Sequence, residues 1–365
     1  MVTETIGHRF LFNQVWRDRD KKTWNYQAGG KTLFHAGEFD YNMNFAKSNG
    51  TLDSYTAQPT VSNVGFRFDR SNARMGSLAE WEQISGPDVR NAANWAFSAF
   101  PTNFDSQRDR IFGAQANLRK SFDLAAPAYI KTGLRYRKQE PKQYFDRRAN
   151  TYIGPNKLKF AEAGDAAKIN SDLMFFNMPA IIAEYNSTPA NFVENRLSTL
   201  TNKLNNETEA SESVGAAYLM GGVQLNKLGI LAGLRVEETR VQGAGNVVDL
   251  TPEERARRAA WVGPVTEDEN LRRIQAERGN FRRSSATYRN VFPGVHFRYE
   301  PREGLVGRAS YSTGIGRPNF STIIPGDSVN HDSELVTANN AALKPQWADN
   351  FDVSLEYYYE PAGLI

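Results

Sequence analysis

Apolar and polar residues alternate with a period of two in three successive segments between Thr287 and Tyr359. The first places Val291, Pro293, Val295, Phe297 and Tyr299 on one face and Asn290, Gly294, His296, Arg298 and Glu300 on the other. The second runs from Leu305 to Ile315 and the third from Trp347 to Tyr359. This alternation predicts strands with one apolar and one polar face. At about 13 residues, each is longer than the usual globular strand of about five or six and suits a tilted crossing of a membrane.

Shorter alternating stretches occupy the rest of the chain. They lie at 38–45, 64–69, 112–119, 130–137, 213–220 and 230–237, with a less regular one from Ile6 to Arg17. In the stretch at 213–220, the apolar face carries Val214, Ala216, Tyr218 and Met220. Turn-forming residues at 28–30 and 48–50 interrupt the first part of the pattern. The whole chain therefore predicts about ten strands.

The connections between these strands are short at one end and long at the other. Short turns are predicted near residues 49–58, 122–127, 226–229, 300–304 and 360–363. Long loops fill the opposite end, among them 71–105, 140–208 and 243–285. The second of these is expected to contain helix, and the third has capping boxes that begin at Thr251 and Thr266. Short turns on one side and long loops on the other are typical of outer-membrane barrels.

Two sequence blocks resemble the barrel of TonB-dependent outer-membrane receptors. One is VFPGVHFRYEPREGLVGRASYSTGIGRPNFSTIIPG, with Arg317-Pro318 closing a strand, and the other is NNAALKPQWADNFDVSLEYYYEPAGL, with Leu343-Lys344-Pro345 before Asn350 and Asp352. The resemblance implies an all-β fold, a transmembrane antiparallel up-and-down β-barrel of about 22 strands with a plug in its lumen. The sequence offers about ten strands and no plug. Residues 1–365 are therefore expected to form a partial receptor barrel domain, with long extracellular loops that contain short helices.

Composition narrows the class of protein further. The chain has 365 residues, 40% of them hydrophobic and 23% charged, so it is neither disordered nor a helical membrane protein. It contains no cysteine, which excludes disulfides, thiolate metal sites and cysteine nucleophiles. A formal charge of +3 gives no sequence-wide basic field for nucleic acid. The first residues lack the regions of a signal peptide, and we expect the chain to start inside a longer protein.

Candidate chemistry is sparse. The histidines, His8, His35, His296 and His331, lack metal-ligand spacing, and no nucleophile or phosphate-loop pattern has the context that it needs. We expect no metal site, no cofactor and no enzyme activity. Strand parity instead places a set of charged residues on the lumen side: Arg135, Arg137, Arg235, Glu237, His296, Arg298 and Arg308. They could contact the plug or an anionic ligand, or form a hydrated wall paired within itself, and we favour the paired wall.

Further candidates lie in the loops and beside the short turns. The arginines after Gly243 are Arg255, Arg257, Arg258, Arg272, Arg273, Arg282 and Arg283. They could attract an anionic ligand or lipopolysaccharide, although interleaved glutamates favour an ordinary solvated helix face. Trp81, Trp95 and Trp261 could stack on a ligand or serve only to order their loops. The tyrosines near short turns, Tyr299, Tyr357 and Tyr359, suit an aromatic girdle at the membrane interface.

The resemblance implies an outer-membrane receptor of a Gram-negative bacterium for energy-coupled uptake of a ferric siderophore, cobalamin or an oligosaccharide. Its expected partners are that small molecule, outer-membrane lipid and lipopolysaccharide, and the TonB energy-coupling complex, reached through an N-terminal part outside these residues. The alternative is a soluble all-β glycan-binding module, which needs strands of about five or six residues and a core on the face taken as lipid-facing. A passive porin is a third possibility, which the two sequence blocks disfavour.

Overall fold

Antiparallel strands make up most of the molecule, whose computed structural model describes residues 2–35, 37–71, 80–155, 157–163, 174–340, 342–359 and 363–364. The strands are β1 (Val2–Leu11), β2 (Gln14–Phe34), β3 (Gly37–Asp69), β4 (Glu80–Ser85), β5 (Ala96–Ala99), β6 (Thr102–Asp123), β7 (Pro127–Arg148), β8 (Asn150–Tyr152), β9 (Ala161–Ala163), β10 (Met174–Phe176), β11 (Phe192–Glu194), β12 (Thr208–Leu225), β13 (Leu228–Asp249), β14 (Asn280–Arg302), β15 (Leu305–Gly316), β16 (Asp327–Asn330), β17 (Leu335–Thr337), β18 (Gln346–Tyr359) and β19 (Gly363–Leu364). The helices are α1 (Met178–Ser187), α2 (Arg196–Asn206), α3 (Pro252–Ala259), α4 (Glu267–Arg278) and α5 (Phe320–Ile323).

Nine of the long strands form one continuous meander in the order β2, β3, β6, β7, β12, β13, β14, β15 and β18. Each pairs antiparallel with the next. At one end of the sheet the strands are joined by short connections, at 35–36, 124–126, 226–227 and 303–304. At the other end lie the long segments, which are 70–101, 149–207, 250–279 and 317–345. The sheet curves into half of a barrel, which confirms the predicted partial antiparallel barrel.

The two faces of the sheet differ as the alternation predicts. We call the face that carries Leu134 and Val236 the outer face, and the face that carries Arg135 and Glu237 the inner face. Apolar side chains on the outer face stay exposed to their surroundings: Leu134 is 66% exposed and Val353 86%. Such exposure is unfavourable in water, so the outer face requires an apolar environment.

The apolar part of the outer face has the height of a membrane's hydrocarbon layer. On β6, the outer-face residues from Phe112 to Phe122 are apolar except Lys120, whose Nζ lies 5.6 Å from the centre of the Phe122 ring. Ten residue steps of about 3.4 Å, tilted by about 45°, rise about 24 Å, close to the band of about 25 Å on transmembrane barrels. Tyr299, Tyr357 and Tyr359 lie near the short turns, and all three side chains are exposed. Their positions suit the expected aromatic girdle.

The long segments pack together beyond the barrel wall into a hydrophobic core of their own. Phe97, Phe100 and Tyr152 are fully buried in it, and the rings of Phe97 and Tyr152 stack with centroids 5.6 Å apart. Trp95 is 5% exposed and donates its Nε1 hydrogen to the carbonyl oxygen of Val89 at 2.8 Å. Trp95 therefore orders its loop from within and does not present its ring to a ligand.

Two predicted turns are segments of strand. Residues 28–30 lie inside β2, and residues 48–50 lie inside β3, where they pair with β2 on one side and β6 on the other. Partners on both sides hold the backbone extended and override the local turn preference of Ser-Asn-Gly. The prediction of a short turn near 49–58 is therefore wrong, and the short connection between β2 and β3 lies at 35–36. The irregular stretch near the start of the chain is divided between β1 and β2.

The predicted faces of β12 are reversed. Val214, Ala216, Tyr218 and Met220 lie on the inner face, in register with inner-face residues of β7 and β13. The Tyr218 hydroxyl donates to Asn117 Oδ1 at 2.8 Å, so its polar group is satisfied from the inside. Period-two alternation separates the faces of a strand, but it does not orient β12, whose outer face carries the small residues Ser213, Gly215 and Ala217 and one large apolar residue, Leu219.

The helices lie in the long segments, as expected. α1 and α2 fall within 140–208, and α3 and α4 begin at the predicted caps, where Thr251 accepts from the backbone N–H of Glu254 and Thr266 from that of Glu269. In the part of the chain that the structure describes, no helix is long and apolar enough to cross a membrane. Residues 360–362 of the last predicted turn lie outside the described residues.

Candidate functional site on the inner face

Cross-strand register places the predicted lumen residues together on the inner face of β7, β13, β14 and β15. They are Arg135, Arg137, Arg235, Glu237, His296, Arg298 and Arg308. Strand parity thus located each of them on the correct wall. What each can do depends on its neighbours across the sheet, and these divide the set into three groups.

The first group is a chain of ion pairs across β7, β12 and β13. Arg137 Nη1 lies 3.5 Å from Glu212 Oε1, and Arg235 Nη2 lies 2.7 Å from Glu237 Oε1. Arg317 joins the two halves, with Nη2 2.5 Å from Glu237 Oε2 and Nε 3.9 Å from Glu212 Oε2. The side chains of Glu212 and Glu237 are only 12% and 11% exposed, and the guanidinium groups replace the water contacts that these carboxylates have lost.

Arg317 reaches this chain because the segment after β15 folds over the inner face. Ile323 of α5 is buried against Val241 of β13, and β16 pairs in parallel with the end of β13. Asp327 at the start of β16 accepts from Arg282 Nη2 at 2.8 Å. We call residues 317–330 the strap. Sequence reasoning assigned no wall contact to Arg317, because nothing local shows that the strap turns inward.

The second group lies nearer the short turns. His296, Arg298 and Arg308 border a cavity of about 570 Å³. Arg298 donates to Glu300 at 2.7 Å, and Arg308 donates to Glu356 Oε1 at 3.0 Å. His296 is exposed and makes no hydrogen bond or ion pair with any residue that the structure describes. This part of the wall is again largely paired within itself.

Arg135 forms the third group by itself, because its charge has no carboxylate partner among the described residues. Its exposed side chain shares a cavity of about 190 Å³ with Arg137, Asn42, Asn44 and Gln115. The amides provide both donors and acceptors, and the guanidinium adds a charged, forked donor. This combination suits a ligand that carries a carboxylate among hydroxyl or carbonyl groups.

Two glutamates with little exposure bind four of the arginines on α3 and α4. Glu254 binds Arg257, Arg258 and Arg272, and Glu269 binds Arg257, Arg272 and Arg273. Burial would raise the pKa of Glu269, but hydrogen bonds from Arg273 and Arg257 outweigh it and hold that pKa below its usual value. Trp261 lies against the same arginines, 5.6 Å from Arg257 and 5.9 Å from Arg273. These contacts support an internally paired helix pair and not an open anion site.

The histidines remain apart from one another. His331 Nε2 lies 2.7 Å from Asp249 Oδ1 in the strap region, and His296 lies on the wall of the barrel. Within the described ranges, no group of three or more histidine, cysteine, aspartate or glutamate residues could hold a metal ion.

A half-barrel with a polar inner face and an apolar outer band defines a membrane-spanning barrel protein of the outer-membrane class. The model of the outer membrane protein beta-barrel family matches residues 180–362, half of the chain, and the chain belongs to this family. It is thus a protein of the Gram-negative outer membrane. Membership bears out the expected barrel and location, and the expectation that the chain is not an enzyme.

Several solved receptors and transporters are similar to the chain at low sequence identity. The ferric-catecholate import receptor Fiu from E. coli K12 is 12% identical with a TM-score of 0.40, and the match covers 90% of this chain and 40% of that one. The ferric citrate transporter FecA is 10% identical with a TM-score of 0.40, and the match covers 96% of this chain and 49% of that one. The siderophore receptor PiuA from Acinetobacter baumannii is 10% identical with a TM-score of 0.36, and the match covers 98% of this chain and 55% of that one. The chain spans about half the length of these proteins. Comparison with curated protein sequences found no match.

Proposed function

We propose that the chain is part of the barrel of a TonB-dependent receptor that takes up a scarce ligand through the outer membrane. The ligand is a ferric siderophore, cobalamin or an oligosaccharide. The observation that carries the proposal is the inner face, where internal ion pairs line much of the wall and Arg135 lies exposed, without a carboxylate partner, beside a group of amides. Such a wall gives a hydrated ligand a polar path with a small number of specific contacts.

In this proposal the ligand meets the long loops first and then passes the inner face. A plug fills the lumen until the inner-membrane energy-coupling complex rearranges it, as the resemblance to TonB-dependent receptors implies. We place the plug and its contact with that complex in residues outside 1–365. Cells that make only residues 1–365 are therefore expected to transport nothing.

The structure does not favour the alternative function, a soluble glycan-binding module. It needs strands of about five or six residues, whereas β6 and β7 each run for 22 residues. It also needs a packed core on the outer face, where Leu134 and Val353 are exposed. Burial of Trp95 removes one of its candidate stacking residues.

Uptake by cells tests the proposal. A strain without the gene is complemented with the complete protein and supplied in turn with labelled ferric siderophores, cobalamin and oligosaccharides. We expect one class to be taken up only with the complete protein and only with an intact energy-coupling complex. Uptake that persists without coupling would show a passive pore, and no gene-dependent uptake of any class would remove the proposal.

A substitution on the inner face tests whether Arg135 contacts the ligand. Arg135→Gln removes the unpaired charge, and loss of a charge-assisted hydrogen bond should raise the half-saturating ligand concentration about ten-fold. Arg289→Gln is the matched control, because Arg289 is also exposed but lies on the outer face and pairs with Glu238 at 2.8 Å. Equal uptake by the two variants would show that Arg135 does not contact the ligand.

A further inference from the structure

Glu212 and Glu237 each give one carboxylate oxygen to an arginine of the wall and the other to the strap. Oε1 of Glu212 pairs with Arg137 and Oε1 of Glu237 with Arg235, so the charges of these four wall residues balance. The two Oε2 atoms pair instead with Arg317, at 3.9 Å and 2.5 Å. Two carboxylate oxygens with little exposure suit a forked cation, because a guanidinium group presents parallel N–H donors.

Arg317 uses only part of what this position offers. Among the described residues its guanidinium makes one hydrogen bond, to Glu237, while its Nε is too far from Glu212 for a second. The hydroxyl groups of Thr239 and Tyr288 lie opposite each other on β13 and β14, buried and without a hydrogen bond of normal geometry to any described residue. Arg317 is close enough to Tyr288 for its charge to act on that hydroxyl. Acceptors therefore remain for a group with five N–H donors.

The backbone of the strap explains this incomplete fit. Pro318 follows Arg317 directly, and proline restricts both its own φ and the conformation of the residue before it. A few residues further on, Ile323 is buried against Val241 and fixes α5 on the wall. The Arg317 side chain is thus held from a backbone that cannot approach the carboxylates more closely. A guanidinium group on a separate molecule has no such restraint.

We propose that this position is a binding site for guanidinium groups and that Arg317 is its built-in occupant. A molecule that presents an alkylguanidinium group takes the place of Arg317 and releases the first part of the strap. The later part stays attached, because β16 pairs with the end of β13 and Asp327 accepts from Arg282. A short tether gives Arg317 an effective concentration on the order of millimolar, which a competing ligand has to overcome with additional hydrogen bonds. The proposal concerns the strap and not uptake, so the two can fail independently.

Chemical rescue of a truncated side chain tests the site. The complete protein with Arg317→Ala, in detergent, is titrated with ethylguanidinium and separately with ethylurea, which has a similar shape and no charge. The backbone N–H groups of Thr322 and Ile324, which bond within α5, report on the strap. Loss of a hydrogen bond between charged groups should speed their exchange about ten-fold. Ethylguanidinium should reverse this effect in a saturable way, and ethylurea should not.

Arg289→Ala is the matched control for the rescue. Glu238, like Glu237, pairs with two arginines, Arg240 and Arg289, but it lies on the outer face and is 28% exposed. This variant should leave exchange in the strap unchanged with either compound. If ethylguanidinium fails to slow exchange in Arg317→Ala, or if ethylurea slows it equally, the site does not recognise guanidinium and the proposal is wrong.

The unaltered protein provides a measurement that does not depend on the folding of a variant. Ethylguanidinium should speed exchange of the Thr322 and Ile324 amides by displacing Arg317, and the amides of β16 should keep their rates. Tetramethylammonium at the same concentration adds equal ionic strength without N–H donors, and it should have a much smaller effect. Equal effects of the two cations would show that screening alone acts on the strap, and this result overturns the proposal.

Discussion

Glu237 joins the inner wall to the strap. Its side chain is 11% exposed and accepts from Arg235 and from Arg317 of the strap. Glu237→Gln would keep the shape but remove the charge partner of Arg235 and leave Arg317 only Glu212, at 3.9 Å. We expect a loss of about 1–3 kcal/mol, since buried groups left unsatisfied carry the desolvation penalty in full. Hydrogen exchange near Arg317 should accelerate, because its ion pair with Glu237 is one of the contacts that hold the strap to the wall.

Glu356 provides the comparison for that variant. It also lies on the inner face and accepts from an arginine, Arg308, and from Ser354 and Tyr358, but the Glu356 and Arg308 side chains are 24% and 46% exposed. Solvent screens exposed ion pairs, and none of these partners belongs to the strap, so Glu356→Gln should leave hydrogen exchange in the strap unaltered. Equal effects of the two substitutions would mean that solvent screens Glu237 as well and that the strap is held by Ile323 packing.

Residue positions on a strand could be read from the sequence, but their partners could not. Parity placed Arg137 and Arg235 on the inner wall because the period of two is local. The carboxylate of Glu212 comes from another strand, and Arg317 arrives from the strap, so both contacts depend on register and loop path. The unpaired state of Arg135 was hidden for the same reason. The alternation in the sequence predicts on which face of the sheet a side chain lies. The register between strands decides whether that side chain has an ion-pair partner.

At the scale of elements, the α3–α4 pair should respond to acid. The pKa of Glu269 lies below its usual value in the folded state because of Arg273 and Arg257. A lowered pKa means that this group contributes its full stability above the unfolded value, near 4.5, and loses it as the pH falls through the folded value. We therefore expect the two helices to remain paired at neutral pH and to lose this stabilisation as the pH falls below 4.5 and through the lower pKa of the folded state.

The fluorescence of Trp261 should report the separation of α3 and α4, since the Trp261 ring lies beside Arg257 and Arg273. Its contribution to fluorescence, taken as the difference from Trp261→Phe, should change on acidification and recover on return to neutral pH. In Glu269→Gln, which has no carboxylate to titrate, the step should be much reduced. An unchanged acid transition in that variant would assign the effect to other groups.

Elements with strong alternation were predicted well, and elements with conflicting signals were not. The caps at Thr251 and Thr266 identified α3 and α4, since a capping box acts within four residues. By contrast, residues 48–50 form strand because β2 and β6 pair on both sides of them. The core around Phe97 and Tyr152 joins several loops and could not be inferred from any one of them. Tertiary pairing decides these cases, and local sequence does not contain it.

At the scale of the whole molecule, the sheet has two open edges. Within the described residues β2 pairs only with β3, and the second edge of β18 meets only β19 near the short-turn end. Lipid cannot hydrogen-bond the free N–H and C=O groups along such edges, and each unsatisfied group costs several kcal/mol there. We propose that further strands of the same barrel complete both edges.

The state of residues 1–365 in detergent tests this account of the edges. Produced without further barrel strands, they should associate through β2 and β18 into oligomers, because pairing between copies is the remaining way to satisfy these groups. Size-exclusion chromatography with light scattering should show mixed oligomers, and a peptide with the sequence of β2 should reduce them by occupying the β18 edge. A peptide with the sequence of the central strand β13 is the matched control. A monodisperse monomer whose β2 and β18 amides exchange slowly would show that the half-barrel closes on itself, and the proposal of additional strands would then be wrong.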